Sequence, residues 1–502
     1  MKTTSRLSSL FLLIALLAQL SGCSGSAVND PVTTEPNGSE STEPLETVDP
    51  SKVLDLPDTD WGGREFRVLG YTGDRPQWST FEIYAESENG EVVNDAIFRR
   101  NTMIEEKYNV KIVQILDPSE GDVTSTNVPV VQKAAISGDD LFDLAFFNLA
   151  GIGKAARNGY LYNLLDVDYI DFSKDWWNPD VNEMLTFADK LYFTTSDFSL
   201  RDKSRAYIGV YNRDMVNDFK LGDAVQLVRD GKWTIDVLTE WAKAVSNDLN
   251  GNGEVDVDDR FGVCCDNYDA LGTFVTAMDN VIIKKNSEGL PELSINNERT
   301  ISSIDKVLAL TSPEDVTIFP PEWQGKVDYD YWSVASRVFK SGHSLFITAF
   351  PHGLKTYSAE CEFDYGIIPY PKYDETQDKY YTVANIYCML FGIPVSCQDP
   401  DFAGFMLEAL SAASTDTTLE AYYEISCKTK YTYDEDSAEM LDLIFDGIIY
   451  DPAYAYGISG MNTIFKNVAK KRENTFASDY ASIEKYALSD IDKLIADLER
   501  EN

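Results

Sequence analysis

The sequence predicts an α/β protein whose body is divided into two lobes. Apolar runs of strand length alternate with stretches of helical spacing, and the alternation begins afresh near the middle of the chain. The region of globular composition is roughly 440 residues, more than a single core usually supports.

The first block is explicit. "EFRVLGY" (Glu65 to Tyr71) reads as a strand, and "VVNDAIFRRNTMIEEKYN" places apolar residues on one helical face. "VKIVQIL" (Val110 to Leu116) is a second strand, "PVVQKAAISG" a second helix, and "FDLAFFN" (Phe142 to Asn148) a third, buried strand. Strand, helix, strand, helix, strand is the order of a parallel sheet. "GYLYNLLDVD", a "DWWNPD" loop and "KLYFTTSDFS" follow.

A second α/β block starts at "RAYIGVYNRDMV" (Arg205 to Val216). In "GKWTIDVLTEWAKAVSND" Thr234 is read as a helix N-cap, with Ile235, Leu238, Trp241 and Val245 on one face. "SRVFKSGHSLFITAF" and "DYGIIPYPKY" come next. "YYTVANIYCMLFGIPVS" reads as one long apolar strand, and the tail from Asp401 is mostly helical in pattern. No internal repeat is seen.

The N-terminus has a different character. Lys2 and Arg6 precede the apolar run "LFLLIALLAQL", too short to span a bilayer comfortably, and "LSGC" ends it at Cys23. This segment resembles the signal and lipobox of bacterial lipoproteins, which implies lipid on Cys23 and a membrane-anchored, extracytoplasmic protein. Ser24 to about Pro57 is rich in Ser, Thr, Pro and Glu, and reads as a disordered stalk.

The formal net charge of −40 argues against nucleic acid and against peripheral binding to anionic lipid. Aromatic content is high, with 28 Tyr, 25 Phe and 8 Trp to fill cores or line a site. Beyond Cys23 there are six cysteines, Cys264, Cys265, Cys361, Cys388, Cys397 and Cys427, whose pairing the sequence leaves open. Cys388 sits in an apolar run and is read as a buried thiol. Two histidines, His343 and His352, give little basis for a zinc site or a His-dependent triad.

Taken in order, "GREFRVLGY", "YNVKIV", "FDLAFFN", "GYLYNL", "DWWNPD", "LYFTTSD", "YNRDMV", "GKWTIDVLTEWA", "FKSGHSLF" and "YGIIPYPK" resemble the extracellular solute-binding lipoproteins of ABC importers. They look like the sugar-binding class that includes maltose-binding protein, over about Trp61 to Tyr480. The resemblance implies a two-lobed periplasmic-binding-protein-like fold of type II, crossover hinges, and a ligand cleft between the lobes. It implies a monomer that captures a carbohydrate, performs no catalysis, and delivers its ligand to permease membrane subunits. Lobe 1 would run from residue 58 to 199, lobe 2 from 200 to 384, and the return to lobe 1 from 385 to 440. The segment 441–502 would lie mainly with lobe 2.

By position within that family, Tyr71, Phe147, Asn148 and Asp197 are nominated as ligand residues of the first lobe and hinge. Phe350 or His352 would offer a platform on the second, and Tyr454 or Tyr456 would reach the cleft from the C-terminal segment. Trp176, Trp177 and Trp332 are further candidates. The chemistry suits sugar: aromatic faces take the C–H face of a pyranose, and carboxylates and amides take its hydroxyls. Phe147 and Phe350 also read as core residues, and at least one of the two adjacent tryptophans as core or gate.

"NDLNGNGEVDVDDRFG" carries Asp248, Asn250, Asn252, Gly253, Glu254, Asp256 and Asp259 at the spacing of a twelve-residue calcium loop. Glu254 would offer its main-chain carbonyl, and Asp in place of Glu at the last position resembles dockerin-type loops. The expectation is a structural calcium of modest affinity; a turn that binds no ion fits the same residues. Competing functions are an importer component for oligopeptides or polyamines, a secreted glycoside hydrolase, and a calcium-dependent surface adhesin.

Overall fold

The computed structural model describes residues 49–71, 79–117, 127–431 and 434–500. Cys23 and the rest of the segment before Asp49 lie outside them. Strands are numbered along the chain as β1 (Arg64–Tyr71), β2 (Val110–Asp117), β3 (Leu144–Asn148), β4 (Ile208–Asn212), β5 (Phe261–Cys264), β6 (Ile283–Lys285) and β7 (Pro291–Leu293). They continue as β8 (Thr317–Ile318), β9 (Ser344–Ala349), β10 (Tyr365–Ile368), β11 (Thr382–Val383), β12 (Met389–Gly392) and β13 (Ile448–Ile449).

Two large sheets result, one per lobe, beside two two-stranded ones, β6-β7 and β11-β13. The first has the order β12-β3-β1-β2, with β1 parallel to both β2 and β3, and β12 antiparallel on the edge. Its three parallel strands are those expected from the strand–helix alternation, because helices Val92–Tyr108 and Val128–Ser137 supply the crossovers. The second sheet has the order β10-β4-β9-β5-β8, with β5 parallel to β8 and β9. Helix Ile235–Val245 starts at Thr234, whose hydroxyl accepts the Val237 N–H, and it buries Ile235, Leu238, Trp241 and Val245 as its spacing requires.

The apolar run "YYTVANIYCMLFGIPVS" is not one strand. Thr382–Val383 pair with Ile448–Ile449 in a two-stranded parallel ribbon, and Met389–Gly392 join the first sheet. Between them Asn385 makes a turn: its side chain accepts the Tyr387 N–H at 3.0 Å and its carbonyl the Cys388 N–H at 2.8 Å. The break falls where the chain crosses from one lobe to the other, so one apolar segment serves two sheets. The chain also crosses between the sheets between β3 and β4, through residues 195–207.

The folded body begins earlier than composition suggests. Residues 49–57 belong with the folded body: the Ser51 carbonyl accepts the Asp175 N–H at 3.0 Å, and Leu54 and Leu56 pack on the core of the first lobe. Two leucines in a polar run suffice to anchor it.

Trp176 and Trp177 line a cavity of about 440 Å³ that Asp197 also lines. Both are buried, and their indole N–H groups donate to the two oxygens of Glu408, at 3.2 and 3.0 Å. Glu408 projects from helix Pro400–Ser414, and burial pushes its carboxyl up to about 7. The six described cysteines are free thiols. Among the described residues no helix is long and apolar enough to cross a membrane.

Candidate binding cleft

A cavity of about 480 Å³ opens at the C-terminal ends of the parallel strands, where α/β sheets usually present their ligands. Beyond β3, Ala150 and Lys154 line it from helix Leu149–Arg157. Beyond β5, Asn267, Asp269, Gly272, Thr273 and Thr276 line it from the loop and helix Ala270–Ala277. The crossover contributes Asn385 and Tyr387, and the C-terminal segment Tyr454, Thr463 and Lys466. Residues of both lobes and of the crossover therefore share one wall.

Tyr207 is the centre of that wall. It leaves the first crossover just before β4, is 5% exposed, and its hydroxyl accepts the Asn385 amide N–H at 2.8 Å. The Phe350 ring packs 4.7 Å from it, and the His352 ring stacks on Phe350 at 5.6 Å with 24° between planes. His352 Nδ1 lies 3.1 Å from the Ser204 carbonyl, which calls for the tautomer with Nδ1–H. Burial and the nearby Arg205 guanidinium hold this imidazole well below its usual range, so it is neutral at physiological pH.

Asp266, behind the cavity wall, accepts the Thr348 hydroxyl at 3.2 Å; burial and Asp269 push it up to about 7. Asp451 accepts the Ile282 and Ala453 N–H groups and is raised to about 6 by burial. A carboxyl raised in the folded state binds its proton more tightly there than in the unfolded chain. The native state then holds more protons between roughly pH 4 and 7, and stability falls as pH rises through that window. With Glu408 behaving the same way, urea unfolding should show the protein about 4 kcal/mol more stable at pH 5.5 than at pH 8.

The nominated residues are distributed unevenly. Tyr454 lines the cavity, while Phe350 and His352 stand beside it through Tyr207. Asn148 is buried two residues before Ala150, and Tyr71 is buried at the end of β1. Phe147 is fully buried in the core, because β3 is covered on both faces. Tyr456 is buried behind the cavity, donating its hydroxyl to the Leu185 carbonyl at 3.0 Å. Trp177 is held by Glu408 and packs on Phe172 and Phe391, away from this cavity. Asp197 faces a separate cavity of about 440 Å³; its carboxylate accepts the Thr415 hydroxyl at 2.7 Å and lies 3.5 Å from the Lys203 ammonium. Trp332 is 52% exposed and packs on Tyr331, outside the cleft.

Several lining residues carry no sequence signal of their own. Tyr207 sits in an ordinary strand lead-in, and Lys154 and Lys466 look like solvated helix residues. Asn385 and Tyr387 fall in the run read as one long apolar strand, where the return to lobe 1 was placed, and their Asn-centred turn was the available clue.

The loop 248–259 is pinned by an antiparallel pairing of Asn247 with Arg260 at its ends. Asp248 accepts the Gly251 and Gly253 N–H groups, and both glycines have positive φ, 71° and 74°. Asp259 accepts the Leu249 and Asp256 N–H groups, and Asp256 takes the amides of Asn250 and Asn252. Among the described residues no three His, Cys, Asp or Glu side chains gather as a metal site.

No protein-family model matches the chain, and no curated protein matches it. Solved structures do. A cyclo/maltodextrin-binding protein complexed with maltotetraose is 14% identical, covers 86% of this chain and 97% of its own, and has a TM-score of 0.56. A sugar transporter from Rhizobium etli in an open conformation is 13% identical, covers 87% and 100%, and scores 0.55. UspC of M. tuberculosis is 12% identical, covers 86% and 100%, and scores 0.54. The chain has the two-lobed periplasmic-binding-protein-like fold.

Proposed function

We propose that the protein captures an oligosaccharide outside the cytoplasm, tethered by lipid on Cys23, and delivers it to an ABC importer. The observation that carries the reading is the single cavity wall built from both lobes and the crossover, centred on Tyr207 and Asn385. Amide, hydroxyl and aromatic groups on that wall suit a polyhydroxylated ring. Two of the neighbours in fold point the same way, one complexed with maltotetraose and one described as a sugar transporter. A ligand touching both lobes stabilises the closed arrangement, and the permease reads that state. Asp269 is the one carboxylate among the lining residues, whereas glycoside hydrolysis uses a pair.

The test is a thermal-shift screen of the protein against oligosaccharides, peptides and polyamines, with product analysis of each sugar. A sugar that raises Tm and is recovered intact supports capture. A shift with peptides or polyamines alone, or cleavage of the sugar, would overturn it.

We also propose a structural calcium in the loop 248–259, supported by the pinned ends, the two positive-φ glycines, and the oxygens of Asp248, Asn250, Asn252, Asp256 and Asp259, with the Glu254 carbonyl. An ion bound by the folded loop stabilises it by mass action, about 2.7 kcal/mol at a hundredfold excess over Kd. Adding EDTA should lower Tm by a few degrees, and Asp248→Ala should remove that response. An unchanged Tm would leave the loop as a turn held by its own hydrogen bonds.

A further inference from the structure

We propose that Asp266 is a positioning residue for the sugar, setting whether the Tyr207 hydroxyl gives its proton to the ligand or turns it away from the cleft. This rests on the carbohydrate reading above and adds a dependence of capture on pH. The amide of Asn385 fixes one side of that hydroxyl. Asn385 Oδ1 accepts the Tyr387 N–H at 3.0 Å, so Nδ2 is the end that faces Tyr207, and it donates to the phenol oxygen at 2.8 Å. The oxygen is therefore an acceptor on that side, and its single proton leaves in another direction. Among the described residues that proton has one acceptor, Asp266 Oδ2, at 3.5 Å, the far limit of a hydrogen bond. The other outlet is the cavity, which Tyr207 lines.

Lobe 2 holds the carboxyl in place. The Asp266 N–H donates to Thr348 Oγ1 at 2.8 Å, and that hydroxyl donates back to Oδ1 at 3.2 Å, so Oδ2 is the oxygen turned to Tyr207. Asn267 Nδ2 reaches the same Oδ2 at 3.4 Å. The titratable groups facing the carboxyl come from every side: Asp269 along its own loop, Cys265 just past β5, Tyr357 on helix Leu354–Glu360, Tyr370 beyond β10, and Tyr207 from the crossover. Lys466 stands one step further, 3.3 Å from Asp269. Burial keeps the thiol and the phenols neutral, whereas burial and Asp269 push the Asp266 carboxyl up to about 7. Its charge therefore changes within the physiological range. Ionised, Asp266 draws the Tyr207 proton out of the cleft. Neutral, it releases that proton to a sugar oxygen. A sugar that accepts from Tyr207 then binds the protonated form more tightly, and by linkage its binding takes up a proton.

Isothermal titration calorimetry on the purified protein tests this, with maltotetraose, cellotetraose, xylotetraose and mannotetraose and any other sugar that raises Tm in the thermal-shift screen, at pH 6 and pH 8. A sugar that binds should do so about three- to tenfold more tightly at pH 6, the worth of one hydrogen bond. Near pH 7.5 its apparent enthalpy should vary with the ionisation enthalpy of the buffer, reporting uptake of up to about half a proton. Asp266→Asn keeps the volume without the titration. It should bind at both pH values as the wild type does at pH 6, with no proton uptake. Tyr207→Phe should bind more weakly at pH 6 and lose the pH dependence. Both variants are checked for folding by circular dichroism. Equal wild-type affinity at the two pH values, with no proton uptake, would overturn this inference and leave carbohydrate capture intact. Uptake that persists in Asp266→Asn would pass to another group, such as Asp451, which is pushed up to about 6, and would also overturn it. A pH dependence that survives Tyr207→Phe would show that Asp266 does not act through this hydroxyl. Binding of none of the sugars would remove the carbohydrate reading and this inference together.

Discussion

Gly153→Ala is expected to destabilise the protein and to weaken ligand binding at the same time. A Cβ at this position would stand 2.1 Å from the Ala455 carbonyl oxygen and 2.6 Å from the Tyr456 Cα, both main-chain atoms that no side-chain rotation can move aside. Helix Leu149–Arg157 and the turn Pro452–Ala455 touch backbone to backbone here, and one methyl group must push them apart. The turn has little room to yield. Tyr456 is buried, its hydroxyl donates to Leu185, and its ring packs 5.2 Å from Phe193 and 5.8 Å from Phe187. Overpacking of this kind costs about 1–3 kcal/mol, and more where backbone is involved. The same two elements carry Ala150, Lys154 and Tyr454 to the cavity, so their separation displaces three of its lining residues. Urea unfolding gives the first effect, and titration with any sugar that raises Tm in the thermal-shift screen the second. A loss of stability with unchanged affinity would show that the cleft does not depend on this contact.

The parts of the fold that periodicity governs were legible in the sequence. Strands β1, β2 and β3, and the face and cap of helix Ile235–Val245, follow from local spacing and local hydrogen bonds. The cleft was legible only in outline. Its position follows from topology, since ligands gather beyond the carboxyl ends of parallel strands. Its residues do not, because a side chain's face is set by the lobe it packs against. Phe147 has the size and flatness of a sugar platform, yet the sheet claims it. Tyr207 has the same chemistry and reaches the cavity because Asn385, far along the chain, holds its hydroxyl at the crossover. Such pairings span well over a hundred residues and leave no local pattern. The break between β11 and β12 is similar, an apolar run whose two halves serve different sheets.

Glu408→Ala is expected to cost about 3–5 kcal/mol of stability, among the largest effects of any single substitution outside the cleft. The carboxylate is 2% exposed, and it serves three donors: the indole N–H groups of Trp176 and Trp177, and the Asp171 N–H at 3.4 Å. Truncation leaves those donors facing an apolar void between helix Pro400–Ser414 and the "DWWNPD" loop, and unpaired buried donors cost about 1–3 kcal/mol each. Glu408→Gln separates the contributions. The amide keeps one acceptor oxygen and fills the same volume, but its NH₂ must face one of the indole N–H groups. A loss of about 1–2 kcal/mol is expected, together with removal of this group's share of the pH dependence, because glutamine does not titrate near 7. Equal losses in the alanine and glutamine variants would mean that acceptance by both oxygens, and not packing, holds the two tryptophans. Near-zero loss in both would show that water replaces the carboxylate, and that Trp177 is held by its aromatic neighbours Phe172 and Phe391.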